Sequence, residues 1–147
     1  MLNDIYNKEI LRFAADIHHI GKLENPGASA TAHSKLCGSK VRVELSMDDG
    51  VVSEFAQDVK ACALGQASSS IMSRHVIGSS AEELREVREK MYAMLKEGGE
   101  APNGRWSDLK ILEPVKDFKA RHASTLLTFD AVCDAVSQIE AAAEPAQ

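Results

Sequence analysis

Apolar residues recur along this chain with two periods, and the switches between them divide it into elements. Leu2, Ile5 or Tyr6, Ile10, Phe13 or Ala14 and Ile17 return every three or four residues, which predicts a helix closed by Gly21 and the Asn25-Pro26-Gly27 turn. The following stretch, GASATAHSK, is small and polar and reads as a mobile loop. From Lys40 the period is two. Val41, Val43, Leu45 and Met47 share one face of a strand, and Arg42, Glu44 and Ser46 share the other, wetter one. Asp48-Asp49-Gly50 is a hairpin turn, because Asp-Gly takes positive φ readily. Val51 to Val59 is the returning strand, with Val51, Phe55 and Val59 on its apolar face.

From Ala63 the helical period resumes. Leu64, Ala67, Ile71 and His75 form a stripe that Gly78 terminates. Ser80-Ala81-Glu82-Glu83 fits a capping box and opens a helix with Leu84, Val87, Met91 and Met94 or Leu95 inside, closed by Gly98-Gly99. EAPNGRWSD is a connector. Pro114 suits the first turn of a last helix, in which Phe118, His122, Thr125, Phe129, Val132, Val136 and Ile139 face the core. The AAAEPAQ tail is expected to fray. The predicted fold class is α+β: an N-terminal helix, a β-hairpin with room for a third short strand, and three helices against a small antiparallel sheet.

Composition narrows the function classes. The 147 residues suit one domain spanning 1–147. A net charge of −5 argues against a nucleic-acid partner. No apolar run approaches the roughly 18 residues of a membrane span, and MLNDIYNKEI lacks a signal-peptide core. The odd count of three cysteines suits a reducing cytoplasm better than a disulfide framework.

The chemistry concentrates on two of those cysteines. If the hairpin pairs residues whose numbers sum to about 98, Cys37 falls opposite Ala61, next to Cys62. Cys62 also precedes a helix, whose free N–H groups favour thiolate. Two adjoining thiols at a helix start suit a soft metal or attack on sulfur. Cys133 fits an apolar helical pattern and reads as core. His75 and His122 also lie on core stripes, and His18-His19 suit a helix C-terminus. Ser68-Ser69-Ser70 lacks the elbow of a serine hydrolase and reads as close helix–sheet packing. The pair also lacks the C-x-x-C spacing that thiol oxidoreductases favour.

Three ordered motifs carry a resemblance. Asn25-Pro26-Gly27 precedes Leu36-Cys37-Gly38-Ser39; Cys62-Ala63-Leu64-Gly65-Gln66-Ala67-Ser68-Ser69-Ser70 follows; and Leu112-Glu113-Pro114-Val115 leads to Lys119-Ala120-Arg121-His122-Ala123-Ser124. The chain resembles the U-type iron–sulfur cluster assembly scaffolds (the NifU N-terminal, IscU and SufU group) from about Ile10 to Ile139. The resemblance implies a scaffold or sulfur-accepting adaptor rather than an enzyme. It implies Cys37 and Cys62 as ligands of an iron–sulfur cluster, iron or zinc. Its partners would be a cysteine desulfurase and downstream iron–sulfur acceptor proteins, with a homodimer as one way to complete a ligand set. The chain departs from the pattern at the other two ligand positions, where Ser39 replaces Asp and Ser124 replaces Cys. His33 and Asp58 are the nearest stand-ins by sequence. These departures suit an alternative: a scaffold-fold module that docks on or regulates a desulfurase without stable metal binding.

Overall fold

The computed structural model describes residues 6–143. The expected Leu2 and Ile5 positions of the first helix and the end of the tail lie outside them. Helix α1 covers Lys8–Ala14, and the Asn7 side chain caps it by accepting from the Ile10 N–H at 3.0 Å. It stops short of the predicted end for a tertiary reason. Residues 18–21 leave the helix to lie against the sheet, where the His19 carbonyl accepts from the Gln57 N–H (2.9 Å) and the Gly21 N–H donates to the Gln57 carbonyl (3.0 Å). His18 and His19 therefore follow the helix instead of closing it, and His19 takes a φ of 61°.

Strands β1 (Ala28–His33), β2 (Lys40–Asp48) and β3 (Val51–Lys60) form one antiparallel sheet in that order. The stretch expected to be a mobile loop is thus an edge strand. Ala28 and Ala30 are buried, Gln138 of the last helix donates to the Ser29 carbonyl at 2.9 Å, and that helix covers β1 and β2. Small side chains suit so close an approach. The hairpin turns on Asp49-Gly50, both with positive φ (53° and 81°), as a two-residue loop requires.

Val41, Val43 and Leu45 are fully buried, as the period of two predicts. A bulge between Ser46 and Met47 changes the pairing sum from 99 at the turn to 100 beyond it, not 98 throughout. In consequence Val52, not Val51, joins Phe55 in the core. The opposite face is not uniformly wet. Glu44 is buried, pairs with Arg42 and accepts from the Leu23 N–H at 2.8 Å, and these contacts, the Leu23 N–H foremost, hold its carboxyl below the usual range.

Helix α2 (Ala63–His75) is the central helix, packed against α1, β3 and the last helix. Ser68, Ser69 and Ser70 are completely buried along it, consistent with close packing; the Ser70 hydroxyl donates to the Asp16 carbonyl at 2.8 Å. Helix α3 (Ala81–Glu97) starts at Ser80, whose hydroxyl accepts from the Glu83 N–H at 3.1 Å, and ends on Gly98 in the left-handed region. The Glu83 carboxylate completes no reciprocal cap. It accepts instead from Trp106 Nε1 at 2.8 Å, which docks the next segment.

That segment is two stretches of 3-10 helix, Gly104–Asp117 and Lys119–Arg121, and α4 follows over His122–Ala143. The last α-helix therefore begins later than Pro114 suggests. Trp106, Leu109, Leu112 and Val115 are buried at intervals of three, which is the period of a 3-10 helix. The expected α+β class holds. Among the described residues, no helix is long and apolar enough to cross a membrane.

Candidate functional site: a thiol cluster at the tip of the sheet

Three chain segments meet where β1 gives way to β2 and β3 gives way to α2. The first is the Ser34–Ser39 turn. The Ser34 N–H donates to the Ser39 carbonyl (2.8 Å) and the Gly38 N–H to the Ser34 carbonyl (2.9 Å), while Gly38 takes a φ of 73°. This closed loop presents Cys37 to solvent. The second is Cys62, the N-cap residue of α2, in extended conformation and half-buried. The third is the first turn of α4, which contributes Ser124.

Gly65 sets how closely the second and third segments approach. A Cβ there would lie 2.7 Å from the Ala61 Cβ and 3.0 Å from the Ser124 carbonyl oxygen. Only glycine lets α2 lie this near the start of α4. The consequence is direct contact: Cys62 Sγ lies 3.3 Å from Ser124 Oγ.

Hydroxyls surround Cys37 as well. Its sulfur lies 3.1 Å from Ser39 Oγ and 3.4 Å from Ser34 Oγ. Ser34, Ser39 and Ser124 are all nearly inaccessible, at 4%, 3% and 1% exposure. The Ser34 hydroxyl foremost, then the Ser39 hydroxyl and N–H and the Ser124 hydroxyl, stabilise the thiolate, and they outweigh partial burial. The Cys37 thiol falls from its ordinary 9.0 to about 7. The Ser124 hydroxyl, beside Cys62, also donates to the Arg121 carbonyl at 3.3 Å.

Of the four residues expected together, the structure sets Cys37 against Ser39 and Cys62 against Ser124 at the same end of the sheet, and the pairing register differs from the expected one. Ladder pairing ends at Lys40 opposite Lys60, so Cys37 reaches the site on a turn and not as a strand residue. Ser34 is the residue that sequence reasoning missed. Two serines flanking a cysteine within one tight turn were the available signal.

The other candidates stand apart. Among the described residues, no three His, Cys, Asp or Glu side chains are grouped to hold a metal ion, so His33 and Asp58 do not complete the two-cysteine set. His122 is buried, with Nε2 at 3.0 Å and 3.1 Å from the Val115 and Lys116 carbonyls. It anchors the 3-10 segment to α4. His75 packs edge-on against Trp106 at 5.5 Å. Cys133 points at the Leu84 carbonyl (3.5 Å), and burial pushes its thiol up to about 11.

The family described as NifU-like N terminal domain matches residues 5–125. The crystal structure of the N-terminal part of a NifU-like protein from Brucella abortus is 64% identical, covers 97% of this chain and 99% of its own, and superposes with a TM-score of 0.95. Among curated relatives, the iron–sulfur cluster assembly scaffold protein IscU of Thermotoga maritima is 25% identical over 135 residues, 92% of this chain and 94% of that one. The IscU of Streptococcus pyogenes serotype M1 is likewise 25% identical, over 138 residues, 93% of this chain and 86% of its own. With its three motifs in order on a matching fold, the chain belongs to the NifU-like N-terminal domain family.

Proposed function

We propose that this chain is an iron–sulfur cluster assembly scaffold that acts as a single domain, takes up sulfur at Cys37 and holds its cargo between Cys37 and Cys62. The observation that carries this reading is the meeting of Cys37, Cys62 and Ser124 at one tip of the family fold. An exposed thiol that ionises near pH 7 is a competent sulfur acceptor. Its thiolate attacks the outer sulfur of a persulfide on a cysteine desulfurase. The donor's S–S bond breaks, the donor leaves as a thiolate, and the sulfur stays on Cys37 as a new persulfide. Downstream iron–sulfur acceptor proteins receive the finished cargo. The setting is the cytoplasm, where Cys37 stays reduced.

The donor set fits this cargo in part. Iron–sulfur clusters usually take four cysteines, and zinc takes four ligands of the thiolate, imidazole or carboxylate kind. One chain provides two thiols, and the Ser39 and Ser124 hydroxyls stay protonated near neutral pH. A second copy, contributing its own Cys37 and Cys62, completes a four-thiolate set. Anaerobic reconstitution with iron, cysteine and a desulfurase tests the reading. Visible absorbance should develop in the native protein and vanish with Cys62→Ser or Cys37→Ser; absorbance that survives Cys62→Ser contradicts the role given to that thiol.

Ser39 and Ser124 favour a second reading, because their hydroxyls are already engaged with the cysteines. It is a module that docks on a desulfurase without holding metal stably. Metal analysis of protein purified without oxygen separates the two: about one metal per chain, or one pair of irons per dimer, for the scaffold, and none for the docking module.

A further inference from the structure

We propose that Cys37 and Cys62 together reduce the sulfur that Cys37 accepts, releasing it as sulfide and closing a disulfide between themselves. This rests on the reading of Cys37 as a sulfur acceptor and adds an activity to it. Persulfide sulfur is two electrons short of sulfide. Two thiols that become one disulfide provide two electrons, so this site carries the whole requirement in its own side chains.

The step balances. Cys62 gives up its proton to solvent, and its thiolate adds to the Cys37 sulfur. The bond from that sulfur to the outer one breaks, and the outer sulfur departs as HS⁻ with the bonding pair. The product is a Cys37–Cys62 disulfide, which an external dithiol reopens by exchange before the next round.

Three observations favour this course over a stable persulfide. Both thiols lie at one tip of the sheet, just beyond the Lys40–Lys60 pair that ends the ladder: Cys37 Sγ sits 3.1 Å from Ser39 Oγ, and Cys62 Sγ 3.3 Å from Ser124 Oγ. Their exposures differ in the useful sense. Cys37 is exposed and Cys62 half-buried, so sulfur enters at Cys37 from solvent while Cys62 attacks from the protein side. The departing sulfur is then on the open side, opposite the incoming nucleophile. Finally, no third thiol competes. The residue against the Cys62 sulfur is a serine, Ser124, which forms no persulfide, and Cys133 is turned toward Leu84 on another face of α4.

The test uses the reduced protein without oxygen. Native protein, Cys62→Ser, Cys62→Ala and Cys133→Ser are each treated briefly with inorganic polysulfide and desalted at once. Sulfide evolved afterwards is assayed, and thiol-blocked samples are weighed by mass spectrometry. Native protein and Cys133→Ser should release about one sulfide per chain and end two hydrogen atoms lighter, with a Cys37–Cys62 linked peptide. Both Cys62 variants should keep one extra sulfur on the Cys37 peptide and release sulfide about tenfold more slowly. Serine is a favoured N-cap residue, so Cys62→Ser keeps the α2 start intact. If native protein holds its persulfide as long as the Cys62 variants do, this proposal is overturned while the acceptor reading stands. If the Cys62 variants hold no sulfur on Cys37, both fall.

Discussion

Removing the two hydroxyls of the Cys37 turn should switch off the thiol near neutral pH. The double variant Ser34→Ala, Ser39→Ala deletes the two largest contributions that bring Cys37 from 9.0 to about 7. At pH 7 a thiol with that lowered value is about half ionised, whereas one at 9.0 is about one part in a hundred ionised, roughly a 50-fold difference. A more basic thiolate is also a better nucleophile. With a Brønsted slope of about 0.45, the two-unit change returns a factor of roughly 8. The net loss in alkylation rate at pH 7 is then about sixfold, and the midpoint of the rate–pH profile moves from about 7 most of the way to 9.0. Iodoacetamide labelling, read on the Cys37 peptide from pH 5 to 10, measures both. The sign extends to stability. A depressed thiol value means that the fold favours the thiolate, so this stabilisation is complete above about 9 and lost as the pH falls through about 7. A double variant whose labelling midpoint stays near 7 would refute the hydroxyl account.

Other variants probe neighbouring parts of the argument. Gly65→Ala drives a Cβ against Ala61 and the Ser124 carbonyl, and should cost about 1–3 kcal/mol, a fall in Tm of roughly 3–10 °C by calorimetry. His122→Ala removes the anchor of the 3-10 segment and should cost roughly 2–4 kcal/mol in denaturant unfolding while leaving the Cys37 labelling midpoint in place. Ser39→Asp with Ser124→Cys rebuilds the ligand set that the family resemblance implies. It should raise the metal retained per chain after anaerobic dialysis, as measured by elemental analysis.

Much of the fold could be read from the chain because local and tertiary forces agree there. Alternation in β2, the Asp49-Gly50 turn and the Ser80 cap each have a local cause that the fold preserves. The misreadings fall where tertiary contacts decide. The small residues of β1 have weak strand propensity and are ordered by β2 and α4. Helix α1 is cut short by pairing of residues 18–21 with β3. The three-residue spacing from Trp106 to Val115 was visible, but a 3-10 run of this length is uncommon enough to be read as connector and helix start. At the site, motif order located Cys37, Ser39, Cys62 and Ser124. Ser34 escaped notice because its role depends on the turn closing over the thiol, a geometry that no spacing rule encodes.

The central claim is that sulfur enters at Cys37. It is tested most directly by supplying ³⁵S-cysteine and a cysteine desulfurase to Cys62→Ser protein, in which the sulfur is trapped, and mapping the label. The account predicts label on the Cys37 peptide and its loss when Cys37→Ser is added. Label that persists without Cys37, or that never reaches the protein, would contradict it.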